Sequence, residues 1–169
     1  LSLDIIVSGD SSQNVAVACV HSRVLRTNGE YSVQLLCAKS KLVTLLTVPK
    51  GELRAATMAA SLGHIVRHNF GNFIASSIYV TDSTITLFWM SQDERPLQTG
   101  VRNCVIEIRR LTALTSWNHI ESSKNVADIA TRPIAVEDII DDSEWISGKP
   151  WMRLSRDEMP VNTIQEIQL

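Results

Sequence analysis

Three β-rich segments open the chain, and a strong turn separates the second from the third. Residues 15–24 are rich in β-branched side chains, Asn28-Gly29 is a typical two-residue hairpin turn, and residues 31–38 are the returning segment. Residues 3–9 alternate in the manner of a strand before the break that follows them. Because consecutive strands joined by short turns pair with one another, the sequence predicts an antiparallel meander of three strands.

Helical and β-type patterns alternate after the meander. Residues 52–67 carry apolar side chains at helical spacing, and Pro49 suits the first turn of that helix. The further predicted elements are a strand at 78–81, helices at 83–91 and 101–111, a strand at 117–120 and a short helix at 125–131. This order predicts an α/β fold with a mixed five-stranded sheet, the three-strand antiparallel meander plus two parallel strands, flanked by helices.

Size and charge narrow the class of protein. With 169 residues, 44% of them hydrophobic, the chain can bury a full core, and we expect one domain at 1–135 with a partly flexible extension or linker at 136–169. We predict that Ile5, Val17, Val80, Leu87, Ile106 and Trp117 are buried, and that residues after Met152 pack poorly. A net charge of −2 argues against a free-standing protein that holds nucleic acid by charge alone.

Cysteine spacing and hydropathy indicate the compartment. The three cysteines show no metal-binding spacing, so we expect buried thiols in a reducing environment. The sequence contains no apolar run of roughly 18 residues that could cross a bilayer. We therefore expect no membrane partner and an intracellular location. The first residue is Leu, which suggests a piece of a longer polypeptide.

Four acidic residues stand at the ends of four predicted elements. Asp10 and Asp82 follow strands, while Glu52 and Asp128 open helices. A right-handed crossover would place Asp10 and Asp82 side by side at one edge of the sheet. Carboxylates gathered there would repel one another without divalent cations, and Mg²⁺ prefers such oxygen ligands. The pattern predicts a two-metal phosphodiesterase site in which at least one carboxyl has a raised pKa when metal is absent.

Each of these acids also has a purely structural interpretation. Asp82 could cap the helix that follows it, Glu52 could be a favourable first-turn charge, and Asp128 could be a third-position charge after an Asn125 cap. The conjunction of all four at one predicted sheet edge favours the metal site.

The sequence motifs around the four acidic residues resemble those of one family. The chain has Asp10-Ser11-Ser12, Pro49-Lys50-Gly51-Glu52-Leu53, Thr81-Asp82-Ser83-Thr84, and Trp117-Asn118-His119 followed by residues 125–132, Asn-Val-Ala-Asp-Ile-Ala-Thr-Arg. In this order and spacing they resemble the ribonuclease H domain of BEL/Pao-type LTR retrotransposon polyproteins. The similarity continues through residues 143–151.

The resemblance implies a fold, an activity and a set of roles. It implies a ribonuclease-H-like fold that cleaves the RNA strand of RNA:DNA hybrids during reverse transcription, with two Mg²⁺ or Mn²⁺ ions. Asp10 would bridge both ions, Asp128 would help to hold the ion that activates water, and Glu52 and Asp82 would hold the other. The partners would be the hybrid and the reverse transcriptase domain of the same polyprotein, in the cytoplasm or a virus-like particle.

Five further residues are candidate substrate contacts: Ser12, Ser83, Arg102, His119 and Lys124. A structural role is the alternative for His119, and a solvated surface is the alternative for Arg102 and Lys124. Two other functions stay open. One is a non-catalytic ribonuclease-H-like binding module, domesticated or structural. The other is an aspartic peptidase, which would require a mainly β fold and a glycine after an Asp-Ser pair. Neither Asp-Ser pair of this sequence is followed by glycine.

Overall fold

A mixed six-stranded sheet organises the molecule. The computed structural model describes residues 3–140 and 143–167; the other six positions, part of the predicted domain and extension, lie outside the described residues. The strands are β1 (Leu3–Ser11), β2 (Val15–Leu25), β3 (Tyr31–Leu42), β4 (Ile74–Thr81), β5 (Trp117–Ile120) and β6 (Val161–Thr163), in the order β3-β2-β1-β4-β5-β6.

Strand directions match the predicted architecture. β1, β2 and β3 are paired antiparallel, and β1, β4 and β5 are paired parallel. Gly29 in the hairpin has a φ of +85°, a left-handed conformation that glycine adopts without a steric penalty. The mixed α/β fold is confirmed. The expected strand number was one too low, because β6 pairs antiparallel with β5.

Helices cover one side of the sheet, which we call the helical face. They are α1 (Val48–Phe70), α2 (Thr84–Ser91) and α3 (Thr99–Leu111), while the short α4 (Glu144–Ser147) lies in the C-terminal segment. The predicted helix at 125–131 is a 3-10 helix, Val126–Thr131. No helix in the described part of the chain is long and apolar enough to traverse a bilayer.

The core under the helical face confirms most of the predicted burial. Ile5, Leu87 and Trp117 are fully buried there. Ile106 was predicted to be buried, but it is 43% exposed. The prediction was wrong because α3 turns Val105 and Ile108 towards the sheet, and Ile106 lies beside that stripe.

The opposite side of the sheet, which we call the irregular face, is covered by 3-10 turns and the C-terminal segment. The predicted core residues Val17 and Val80 are buried there. Trp151, Met152 and Met159 pack into the same cluster. The expectation that residues after Met152 pack poorly is therefore wrong for Met159 and for β6. The prediction failed because these few apolar side chains do not show the periodic spacing from which a buried helix or strand is predicted.

A buried arginine fastens this C-terminal segment to the sheet. Arg23 of β2, 2% exposed, donates from Nε to the carbonyl oxygen of Met152 at 2.9 Å and from Nη1 to Asp4 at 2.8 Å. The His21 ring contacts the carbonyl oxygen of Trp145 through Nε2 at 2.9 Å. These bonds make the segment part of the folded body as described, whereas a domain boundary after residue 135 stays a prediction.

Candidate active site

The ends of β1 and β4 bring two of the predicted acids together. Ser8 of β1 pairs in parallel with Val80 of β4, and Asp10 and Asp82 each stand two residues further along. Asp10 is 7% exposed, whereas Asp82 is half-buried. The two carboxylates thus leave neighbouring strands at the same edge of the sheet, as the crossover argument predicts.

A glycine allows the start of α1 to approach this edge. A Cβ atom on Gly51 would lie 2.6 Å from Ser11 Oγ, which is closer than two unbonded atoms can approach. Since Gly51 has no side chain, the helix rests against the end of β1. Glu52 is the next residue, and its half-buried carboxylate accepts a hydrogen bond of 2.6 Å from Ser83 Oγ.

Asn125 connects the helix that carries Asp128 to the ends of β1 and β4. Its Oδ1 accepts a hydrogen bond from the backbone N–H of Ala127, which caps the 3-10 helix that carries Asp128. Its Nδ2 donates to the carbonyl oxygen of Gly9 at 3.0 Å and to Asp82 Oδ1 at 3.4 Å. The sequence analysis treated Asn125 only as a cap. Its position at the head of the Asn-Val-Ala-Asp segment was the available signal for this second role.

Charge interactions link all four carboxylates. Burial and, to a smaller extent, the charges of Asp82, Asp128 and Glu52 together raise the pKa of Asp10 from its usual 3.8 to about 7, although a hydrogen bond from the Ser11 backbone opposes them. The pKa of Glu52 is also raised, chiefly by burial and then by Asp82, although the bond from Ser83 opposes this. The expected raised pKa is confirmed at two of the four positions.

Protein groups partly neutralise the same carboxylates. Arg132 Nη2 forms an ion pair with Asp128 Oδ1 at 3.1 Å, while Ser83 and Asn125 bond to Glu52 and Asp82. Within residues 3–140 and 143–167, no three His, Cys, Asp or Glu side chains are close enough to hold a metal ion. An all-oxygen donor set, with a central carboxyl whose pKa is raised by burial and then by the charges of its neighbours, is chemically suited to hard divalent cations.

The capping alternatives are resolved for two of the acids. Ser83, not Asp82, caps α2, because its Oγ accepts a hydrogen bond from the backbone N–H of Thr86 at 3.2 Å. Glu52 lies beyond the first turn of α1. Asp128 does lie in the first turn of a helix capped by Asn125, so the structural interpretation holds for it beside the functional one.

Two candidate substrate contacts lie near the carboxylates. His119 of β5 pairs in register with Thr81, the residue before Asp82, and is half-buried. Ser12 follows β1 directly, where its Oγ accepts hydrogen bonds from the backbone N–H groups of Asn14 and Val15 and shapes the turn into β2. Neither placement assigns a substrate role, which stays a prediction for both residues.

Lys124 and Arg102 have local partners. Lys124 Nζ forms an ion pair with Glu121 at 3.2 Å, and its carbonyl oxygen accepts a bond from the indole of Trp151. The guanidinium of Arg102 donates to three carbonyl oxygens of the loop before α3, those of Glu94, Arg95 and Leu97. Arg102 therefore shapes that loop, and a substrate contact by either residue stays a prediction.

The strand order, an antiparallel meander followed by the parallel strands β4 and β5, agrees with the ribonuclease-H-like fold expected from the sequence. Residues 1–83 match the family described as "Pao retrotransposon-like RNaseH-like domain". This match confirms the resemblance to the ribonuclease H domain of BEL/Pao-type elements. The α/β architecture differs from the mainly β fold that the aspartic peptidase alternative requires.

Solved structures of two ribonucleases H are also similar to this chain. The N-terminal RNase H domain of a Mycobacterium tuberculosis protein, solved as a fusion with maltose-binding protein, is 14% identical with a TM-score of 0.48, covering 77% of this chain and 94% of that one. RNase H1 of the halophilic archaeon Halobacterium salinarum is 18% identical with a TM-score of 0.43, covering 78% and 94%. A search among curated proteins gives no match.

Proposed function

We propose that this domain is a metal-dependent endonuclease that hydrolyses the RNA strand of RNA:DNA hybrids during reverse transcription. The observation that carries the proposal is that Asp10 and Asp82 lie at the ends of the parallel strands β1 and β4. Burial there, followed by the charges of Asp82, Asp128 and Glu52, raises the pKa of Asp10 to about 7. Such a concentration of negative charge is costly unless cations are bound there. The match to the Pao retrotransposon-like family supports the same substrate class.

In this proposal the four carboxylates would hold two Mg²⁺ or Mn²⁺ ions. The ions would supply a water of lowered pKa and would neutralise charge on the leaving oxygen, so no protein nucleophile is needed. The chain orients the ligands: Asn125 holds Asp82 and Ser83 holds Glu52. Arg132 forms an ion pair with Asp128, so this ion pair would have to weaken for the Asp128 carboxylate to bind a metal ion.

The proposal also covers the partners. Selectivity for a hybrid would come from the 2′-hydroxyl groups of the RNA strand, which are displayed across a wide and shallow minor groove. Ser12, Ser83 and His119 are near enough in sequence or register to the acids to be tested as substrate contacts. The further partner would be the reverse transcriptase domain of the same polyprotein, in the cytoplasm or a virus-like particle.

The decisive test is cleavage at low salt with Mg²⁺ or Mn²⁺ of an RNA:DNA hybrid, with double-stranded DNA as the comparison. We expect cuts in the RNA strand only. Asp82→Asn keeps the side-chain shape but removes a ligand charge, so it should lower the rate by orders of magnitude in a protein that remains folded. Asp93→Asn is the matched control, since Asp93 is exposed and forms its ion pair with Arg95. Equal rates in the two variants would overturn the assignment of Asp82.

A non-catalytic ribonuclease-H-like module is the second candidate. It is favoured by the engagement of Glu52, Asp82 and Asp128 with protein side chains. It is also favoured because no group of three His, Cys, Asp or Glu side chains in the described residues could hold a metal ion. Calorimetric titration with Mn²⁺ separates the two. Binding that Asp10→Asn abolishes supports the nuclease. A wild-type protein that binds hybrid but neither binds the ion nor cleaves supports the module.

A further inference from the structure

Basic and acidic residues are unevenly distributed along this chain. Residues 31–81 contain five Lys or Arg and a single acidic residue, Glu52 of the candidate site, although the whole chain has 16 basic and 18 acidic residues. This stretch comprises β3, α1 and β4. The β3 and α1 side of the molecule is therefore positively charged within a protein of net negative charge, which is the electrostatic pattern of an anion-binding surface.

Three neighbouring cavities along α1 share lining residues. A cavity of about 210 Å³ between β3 and α1 is lined by Lys39, Lys41 and Arg54. Arg54 also lines a cavity of about 180 Å³ between α1 and α3, together with Lys50. Lys50 in turn lines a third cavity, of about 460 Å³, beside Trp89. We call these three cavities together the α1 groove.

The cations of the α1 groove are not neutralised by the protein. In the described part of the chain, Lys39, Lys41, Lys50 and Arg54 form no ion pair, whereas seven other basic residues do. The acid in the groove, Glu107, is held by two hydrogen bonds from Arg110. The groove thus contains four positive charges without an ion-pair partner among the described residues, spread along its length, and an aromatic ring at one end.

We propose that the α1 groove binds single-stranded nucleic acid, an extension of the strand that enters the candidate site; in its choice of ligand, this rests on the proposed function. The phosphates would follow the four cations and a base would stack on Trp89. A positive groove with an aromatic platform is the general arrangement for single strands. A duplex fits less well, because its bases are already paired and stacked and cannot reach a ring recessed between helices.

The groove and the candidate site lie close enough to share one strand. Lys41 of β3 pairs with Ala16 of β2, and the adjacent Val17 pairs with Asp10. Two strand spacings of about 4.8 Å, roughly 10 Å in all, separate the β3 backbone from the β1 backbone. A strand that follows the groove would therefore pass near the candidate site. At the other end, Lys50 stands two residues before Glu52.

Fluorescence anisotropy with a labelled single strand of about 12 thymidines, in EDTA, tests the proposal. Lys39→Gln with Lys41→Gln should weaken binding and reduce the slope of log K against log salt by about 1.4, or 0.7 for each lost phosphate contact. Arg26→Gln with Arg95→Gln removes the same charge from exposed positions outside the groove and should leave the slope unchanged. Equal losses in both double variants would overturn the proposal.

Trp89 provides a second and independent measurement. Trp89→Leu should weaken binding roughly 5- to 150-fold, the loss typical of one stacked base, while Trp89→Phe keeps an aromatic face and should retain most of the affinity. Because Trp89 also packs against the core, each variant is first compared with the parent by thermal unfolding. A Phe variant that binds as weakly as the Leu variant, while equally folded, would contradict stacking.

A duplex comparison distinguishes the ligand, and the absence of metal separates this test from catalysis. If double-stranded DNA of equal length loses as much affinity through Lys39 and Lys41 as the single strand does, the groove is a general phosphate surface and the single-strand assignment is wrong. Binding in EDTA does not require cleavage. A protein that fails to cut hybrid can therefore still support this inference, and an active protein can still contradict it.

Discussion

The two faces of the sheet are covered in different ways. On the helical face, α1 and α3 bury regular stripes such as Leu53, Ala56 and Val105 against the sheet. On the irregular face, 3-10 turns and the C-terminal segment cover the sheet with isolated anchors such as Trp151 and Met159. The centre of the sheet is nonetheless shielded from solvent on both faces. Ile5 and Ile6 point to opposite sides of β1, and both are fully buried.

This difference shows that regular secondary structure is not needed to close a sheet. The helices gain their stability from periodic apolar contacts, whereas the irregular cover depends on large side chains and on hydrogen bonds from the sheet, those of Arg23 above all. The candidate site takes Glu52 from the helical face and Asp128 from the irregular one. Its geometry therefore depends on both.

The largest expected effect compares the two faces directly. Trp117 lies under the helical face and Trp151 under the irregular one, at 0% and 5% exposure. If both faces are true core, Trp117→Ala and Trp151→Ala should each lower the free energy of unfolding by about 3–5 kcal/mol. Urea unfolding measures this. A loss below about 1 kcal/mol for Trp151→Ala alone would show that the C-terminal segment is an appendage.

The second prediction concerns pH and Asp10, where the two faces meet. A folded pKa of about 7 against the usual 3.8 means that folding favours protonated Asp10. This contribution to stability is complete below about pH 4 and is lost as pH rises through 7. Without metal, Asp10→Asn should therefore stabilise the protein above pH 7 by up to about 4 kcal/mol, and by nothing near pH 4. A variant whose advantage is the same at both pH values would contradict the raised pKa.

A smaller effect is expected from the bonds between the sheet and the C-terminal segment. Arg23→Gln removes the charge that bonds to Asp4 and to the carbonyl oxygen of Met152, so it should cost roughly 1.5–3 kcal/mol. Limited proteolysis should then cut first after residue 152. Arg26→Gln, on the exposed end of the same hairpin, should stay within about 0.5 kcal/mol. Equal protection of the segment in both variants would contradict the fastening role.

The smallest effect tests the orientation of α3. Ile106 is 43% exposed and Ile108 is 1% exposed on the same helix. Ile106→Ala should change the free energy of unfolding by no more than about 0.5 kcal/mol, whereas Ile108→Ala should cost about 2–5 kcal/mol. Equal costs would mean that α3 is rotated from the orientation described.

Much of the helical face could be predicted from the sequence, because periodicity and turn chemistry act locally. Asn28-Gly29 fixed the hairpin, and the spacing within α1 fixed its buried side. The position of Ile106 could not be predicted, since a rotation of α3 by one residue depends on the packing of Val105 and Ile108 against the sheet. The strand β6 has three residues, too few to show alternation.

The candidate site was predictable in outline and not in its contacts. The parallel pairing of β1 with β4 follows from topology, so the neighbouring positions of Asp10 and Asp82 could be derived. The bonds of Ser83 to Glu52 and of Arg132 to Asp128 depend on side-chain rotamers that no local pattern fixes. Asn125 bonds to Gly9, which lies 116 positions earlier in the chain. A local sequence pattern cannot predict a contact between residues so far apart.

The hydrogen bond between Arg23 and Met152 also affects when, during synthesis of the chain, the irregular face can be covered. The two residues are separated by 129 positions, so the anchor of the irregular face is synthesised long after the strand it binds. At about 5–20 residues per second, the delay is roughly 6–26 seconds. During that interval the nascent sheet has Ile6 and Ile78 without their final cover. A chaperone that recognises exposed apolar strands would meet this face, rather than the helical one, on the ribosome.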